Sequence, residues 1–306
     1  MRTTLTALLL AVVISGCTES PAKVHGRVFA ERADDVAWEN DKVAFRAYGP
    51  ATQAKGERAY GYDIFFKYPD KGLVLETLYG EECSSANWAK VDSLRKIDQK
   101  LAHDCQQSFT YHVDHGFGMD CYAVGPTLGA GVAAIVNEGD STIYYPWCYE
   151  RAEILEDGPT RFAMRLTFAP RTIDSDTAVV ETRTITLDEG SHLNHCTVEF
   201  AGLSTPQTIA VGFPLRDDHP TFTDTQAGIV AYSDPTTGSD NGRALLGAIV
   251  PGGLERTATI DKHILGLKTL NPGEAFDYWF GFAWDRTDIR EFADWVAYLR
   301  NFTTSE

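Results

Sequence analysis

The stretch Ala178-Val179-Val180-Glu181-Thr182-Arg183-Thr184-Ile185-Thr186-Leu187 decides the fold, and Asp188-Glu189-Gly190-Ser191 ends it in a turn. β-Branched residues dominate it, and apolar and polar side chains alternate along much of it. Successive side chains of a strand point to opposite faces, so this is the pattern of a strand with one face buried. Working outward, short runs of the same character recur at 43–46, 131–136, 162–168, 197–200, 244–250 and 276–282. They are rich in β-branched and aromatic residues, and Gly, Asp, Asn and Pro separate them. Short strands with turn signals between them predict an all-β sandwich or barrel.

Trp38-Glu39-Asn40-Asp41-Lys42-Val43 reads as a hairpin with its turn near Asn40-Asp41. Two segments change period. Over 87–101, Trp88, Val91, Leu94, Ile97 and Leu101 fall on one helical face, and over 288–301, Ile289, Phe292, Trp295, Val296 and Leu299 do the same. Asp288, with Glu291 three residues on, predicts the cap of the second helix. Neither a repeat nor a Pro/Ser-rich linker interrupts the rest, so residues 26–306 read as one domain.

Residues 1–16 have a different character. Arg2 precedes an apolar run from Leu5 to Ile14 that only Thr6 breaks. The run is too short to span a bilayer and reads as a signal peptide. It ends in Ile14-Ser15-Gly16-Cys17, which resembles the bacterial lipobox. That resemblance implies acylation of Cys17, with residues 17–25 as a tether. Thr18, where an aspartate would signal retention, implies the outer membrane. The chain carries 27 basic and 43 acidic residues, a net charge of −16. Nucleic acid and anionic lipid surfaces need basic partners, so both are excluded. An acidic sugar needs only a local arginine cluster and is not. Apart from Cys17, the cysteines are Cys83, Cys105, Cys121, Cys148 and Cys196. An odd number in an oxidising compartment leaves one unpaired, and the absence of Cys-x-x-Cys argues against structural zinc. Cys83 and Cys105 flank the first helical segment and are the expected bridge.

Three phrases occur together: Glu31-Arg32-x-Asp34-Asp35-x-x-Trp38-Glu39-Asn40-Asp41, Phe45-Arg46-x-Tyr48-Gly49-Pro50, and Tyr111 to Thr127 ending Val124-Gly125-Pro126-Thr127. They resemble an uncharacterised domain family of bacterial secreted and lipid-anchored proteins, met beside genes for degrading uronate-containing polysaccharides. Thr182 to Ser191 and the turn Leu270-Asn271-Pro272-Gly273-Glu274 resemble the large β-sandwich of galactose mutarotases. The resemblances imply a galactose mutarotase-like β-sandwich with one or two peripheral helices and a sugar ligand. Fold alone does not fix the reaction.

The segment Tyr111-His112-Val113-Asp114-His115-Gly116-Phe117-Gly118-Met119-Asp120-Cys121-Tyr122 concentrates groups that move and orient protons. On a uronate the matching reaction is β-elimination: a base takes the C5 proton and an acid protonates the leaving O4. Tyr111, His112, His115 and Tyr122 are the expected catalytic set. As a strand the segment would send His112 and His115 to opposite faces, and as a turn it lets both converge. The spacings His112-x-x-His115 and His192-x-x-His195 admit a metal, but zinc needs a third firm ligand that neither motif supplies, so no metal and no other cofactor is expected. Arg46 and Arg216 suit a carboxylate through their planar forks. Trp38, Asn40, Asp120 and Trp147 complete the expected substrate-binding set, with Trp147 in the run Tyr144-Tyr145-Pro146-Trp147-Cys148-Tyr149 as the stacking platform. No nucleotide loop, serine elbow or His-Glu-x-x-His is present. The expected function is therefore a lipid-anchored envelope protein acting on acidic oligo- or polysaccharides, by elimination. A mutarotase or epimerase, and a glycan-binding lipoprotein without catalysis, are the alternatives.

Overall fold

The computed structural model describes residues 22–302, which form three antiparallel sheets. The signal segment and Cys17 lie outside the described residues. In chain order, β1 (Val24–Phe29), β2 (Asp35–Asn40), β3 (Ala44–Ala47), β4 (Asp63–Lys67) and β5 (Gly118–Met119) make the first sheet, each beside the next. They are followed by β6 (Ala134–Asn137), β7 (Thr142–Tyr144), β8 (Arg151–Asp157), β9 (Arg161–Thr167), β10 (Arg171–Ile173), β11 (Asp176–Asp188) and β12 (Leu193–Ala201). The remainder are β13 (Gln207–Pro214), β14 (Thr221–Asp224), β15 (Ile229–Asp234), β16 (Ala244–Ile249), β17 (Arg256–Ile260), β18 (His263–Leu270) and β19 (Ala275–Trp284). The second sheet has the order β17-β18-β13-β6-β7. The large sheet has the order β14-β15-β16-β19-β12-β11-β9-β8, with β10 paired to β11.

The two five-stranded sheets together face the nine-stranded one. Phe162, Ile185, Val198, Phe280 and Phe282 of the large sheet share one core with Trp38, Phe45 and Ile64 of the first sheet and with Ile135, Val211 and Leu265 of the second. Each such side chain contributes about 1.5–3 kcal/mol on burial. β11, the alternating stretch, buries Val179, Glu181, Arg183, Ile185 and Leu187 on its inner face. Two charged residues therefore stand in an otherwise apolar row.

The helices are α1 (Pro50–Ala54), α2 (Leu75–Glu82), α3 (Ser85–Arg95), α4 (Gln99–Gln107) and α5 (Phe292–Asn301). Leu75, Leu78 and Tyr79 of α2 cover the outer face of the first sheet at Phe29, Ala37 and Phe65. The Glu39 carboxylate fixes the start of α2 by accepting hydrogen bonds from the Val74 and Leu75 amides, and it pairs with buried Lys67 at 2.5 Å. α5 lays Trp295 and Leu299 on Ile229, Leu245 and Ala283 of the large sheet.

Several expectations are corrected. Five helices are present among the described residues rather than one or two. The periodic segment 87–101 is two helices, because Asp98 caps the second by accepting from the Lys100 and Leu101 amides. Ile97, at the break, is 79% exposed instead of continuing the apolar face. α5 starts at Phe292, and Asp288 does not cap it. Asp288 instead accepts from Lys42 Nζ and His192 Nε2. Cys83 and Cys105 are both free. Cys83 packs against the α2 cluster and Cys105 against Val91 and Ala102 of the α3–α4 hairpin, so they belong to separate packing units. β1 begins at Val24, which places the last two residues of the expected tether inside the sandwich.

Candidate functional site

The first sheet's outer face carries the site. In β2, β3 and β4 the inward residues are Val36, Trp38, Phe45, Ile64 and Phe66. Alternation then turns Asp35, Arg46 and Asp63 outward, and Arg46 and Asp63 are direct cross-strand partners. The Tyr111–Asp120 loop closes over them. It is neither a strand nor an open turn: the Asp120 amide donates to the Tyr111 carbonyl at 2.8 Å, and only Gly118–Met119 pairs with β4. This closure buries Tyr111 and Asp120 and leaves His112 and His115 exposed.

Arg46 is the hub. Its Nη2 donates to Asp120 Oδ2 at 2.9 Å, to Tyr48 Oη at 3.1 Å and to Asp63, while Nη1 donates to Tyr111 Oη at 3.2 Å. Tyr48 Oη donates to Asp63 Oδ2 at 2.5 Å. Arg32 Nε reaches the Tyr111 hydroxyl at 3.1 Å, and Asp35 Oδ2 lies 3.8 Å from Arg46 Nη1. Three carboxylates thus surround one fully buried guanidinium. Burial and the neighbouring Asp63 push the Asp120 carboxyl up to about 7, against the pull of Arg46 and His112. Burial also raises the Tyr48 and Tyr111 phenols and the Asp35 carboxyl. The exposed His112 ring sets its Nδ1 3.0 Å from the Asp120 carbonyl and 3.7 Å from Asp120 Oδ2. A carbonyl can only accept, so Nδ1 is the donor in that hydrogen bond.

Tyr48 also lines a cleft of three lobes that share Trp147. The innermost lobe, a tight cavity of about 10 Å³, lies between Tyr48, Tyr60, Tyr62, Trp147, Tyr149 and Arg183. Trp147 is 54% exposed, and the Tyr60 ring stacks on Tyr145 at 5.4 Å and lies tilted 6.2 Å from Trp147. Arg171 lines the other two lobes. It donates to the Tyr144 and Tyr145 carbonyls at 3.1 and 2.7 Å and to Glu181 at 2.5 Å, which fixes the chain that carries the aromatic wall. Arg183 shares Glu181 and donates to Tyr62 Oη at 3.2 Å.

Of the expected site residues, the structure gathers Tyr111, His112, Asp120 and Arg46, leaves Trp147 in the adjoining cleft and places the rest elsewhere. Trp38 is fully buried, its indole donating to Asn194 Oδ1 at 2.7 Å, so no sugar can stack on it. Asn40 is fully buried and builds the hairpin turn, accepting from the Lys42 and Val43 amides and donating to the Asp188 and Ser191 carbonyls. Tyr122 is buried under the Arg216 guanidinium, 5.3 Å away, and Arg216 pairs with Asp234 at 2.9 Å. His115 is held to the Thr110 carbonyl at 3.2 Å. His192 and His195 diverge, to Asp288 at 3.1 Å and Asp277 at 3.3 Å. Tyr48, Tyr60, Asp63, Arg171, Glu181 and Arg183 were not anticipated. The period of β11 carried a signal for two of them, because it puts Glu181 and Arg183 on the face of Ile185 and Leu187.

The profile of a domain of unknown function, DUF4861, matches residues 13–305, and the chain belongs to that family. A protein named Uncharacterized protein P7, from Formosa agariphila, is 26% identical over 293 residues, covering 93% of this chain and 68% of that protein.

Proposed function

We propose that this member of the DUF4861 family is a carbohydrate-active protein that takes a uronate-containing oligosaccharide into the Trp147 cleft and cleaves it by β-elimination. One observation carries the reading. An exposed tryptophan, with Tyr60 and Tyr145 beside it, lines a cleft that also holds Arg171 and borders the Arg46 network. Aromatic faces suit the apolar faces of sugar rings, and arginine suits a carboxylate. The lipobox reading of Cys17 adds an envelope anchor to this proposal.

The test is direct. Purified protein is incubated with alginate, pectic, glucuronan and glycosaminoglycan substrates, and absorbance is followed at the unsaturated-uronate band. The expected result is a rise with at least one substrate, lost in Trp147→Ala through weakened binding. Flat traces with every substrate would falsify the lyase reading. Binding that persists without turnover, and that Trp147→Ala abolishes, would establish the glycan-binding alternative instead. Partition of the mature protein into detergent, and its loss in Cys17→Ser, tests the anchor.

A further inference from the structure

The two outer lobes of the Trp147 cleft hold about 190 and 330 Å³, many times what one water needs. Trp147 and Arg171 are the residues common to their linings, so the indole and the guanidinium form the partition between two compartments. The compartments differ in chemistry. The smaller is walled by Gln53, Cys148, Phe168, Ala169 and Pro170, and no carboxylate lines it. Gln53 Oε1 accepts from the Cys148 amide at 3.0 Å, which leaves the Nε2 hydrogens to donate. Arg171 spends both Nη1 hydrogens on the Tyr144 and Tyr145 carbonyls and one Nη2 hydrogen on Glu181, so a second Nη2 hydrogen is unspent. Arg171 and Arg183 share the single carboxylate of Glu181, which leaves one positive charge in excess beside this lobe. The larger lobe has Tyr60, Tyr144, Tyr145 and Thr172 in its wall. There Tyr144 Oη donates to Asp174 at 2.6 Å and Tyr145 Oη to Asp261 at 2.7 Å. These phenols therefore offer lone pairs, and two carboxylates stand behind them.

We infer that the cleft seats two adjoining sugar units across the Trp147–Arg171 partition, a uronate in the Gln53 lobe and a neutral sugar in the tyrosine lobe. The inference rests on the proposed uronate reading and narrows it, from any acidic glycan to one in which uronate and neutral units are neighbours. A carboxylate in the Gln53 lobe meets hydrogen-bond donors and the unbalanced positive charge, with no carboxylate in the wall to compete. A carboxylate in the tyrosine lobe would meet phenol oxygens turned as acceptors and the like charges of Asp174 and Asp261. A sugar hydroxyl donates to those same oxygens without that repulsion. The indole, shared by both lobes, gives each ring an apolar surface. No bond is made or broken in this selection, so it is a property of binding alone.

The experiment is a calorimetric titration of the full-length protein with three sets of probes. These are aldobiouronic acids (one uronic acid linked to one neutral sugar), the same disaccharides with the carboxyl reduced to an alcohol, and diuronic acids. The mixed acid is expected to bind at least about tenfold tighter than its reduced form, the worth of one charge-assisted hydrogen bond, and tighter than the diuronic acid. Gln53→Glu keeps the acceptor for the Cys148 amide and puts a carboxylate in the smaller lobe, so it is expected to erase the preference for the acid over its reduced form. Asp174→Asn combined with Asp261→Asn removes the charges behind the phenols and is expected to raise the diuronic acid to the affinity of the mixed one. Both positions have left-handed backbone, φ 50° and 45°, which asparagine accepts. Equal binding of the mixed acid and its reduced form overturns the uronate placement, as does a preference that survives Gln53→Glu. Diuronic acids that bind the wild type as tightly as the mixed acid, or that the double variant still excludes, overturn the neutral placement. Each of these results leaves the glycan cleft standing. No binding of any probe removes the cleft reading, and this inference with it.

Discussion

Asp120 shows what single residues do here. Its carboxyl titrates near 7 instead of the ordinary 3.8, because it is buried beside Asp63. A carboxyl whose folded pKa is raised binds more protons folded than unfolded, so stability falls as pH rises between those two values. Asp120→Asn fixes the neutral form. Its deficit relative to wild type is therefore expected to shrink from pH 5 to pH 8, read as the difference in urea midpoints. A deficit that grows would show that Asp120 is held ionised. Glu181 argues differently. It neutralises both Arg171 and Arg183 in the core, so Glu181→Leu leaves two arginines without their partner and is expected to cost about 3–5 kcal/mol in denaturant unfolding. Both residues were visible in the sequence, but only the neighbour that each one meets gives it a role.

Elements depend on what holds their ends and faces. α5 is pinned at its approach by Asp288, which His192 and Lys42 hold well below the usual carboxylate range, His192 first. A depressed pKa contributes stability that is complete above the unfolded value and is lost as pH falls on through the folded value. Asp288→Asn is thus expected to destabilise at pH 7 and to destabilise less at pH 2, by thermal melts at the two pH values. In the large sheet, β19 pairs Gly281 with Leu193 of β12, and a Cβ at Gly281 would sit 2.0 Å from the His192 carbonyl oxygen. Gly281→Ala is expected to force those strands apart and to lower the melting temperature sharply. The long alternating strand and α5 were legible because their periods run undisturbed. The α3–α4 break was not, because Asp98 caps a helix only once the chain has turned there.

The whole molecule is a sandwich with one shared core and a helical hairpin beside it. The hairpin's own cluster buries only Val91, Ala102 and Phe109. Few buried contacts mean low local stability, so α3 and α4 amides are expected to exchange with solvent well before those of β11 and β12. Hydrogen exchange with mass spectrometry reads this, and equal protection would show the hairpin to be part of the main cooperative unit. The chain is acidic overall, net −16, while its interior holds the cations Arg46, Lys67 and Arg183, each paired with buried carboxylates. Period-2 patterning and turn residues, which are local properties, determined by themselves that the chain is an all-β sandwich. Convergence is not local. Arg46, Asp63 and Asp120 come from separate places in the chain, and Trp38 and Trp147 look alike until one is buried under a sheet and the other left in a cleft. Only the tertiary structure decided which charges meet and which aromatic ring faces solvent, because burial and pairing depend on residues far apart in sequence.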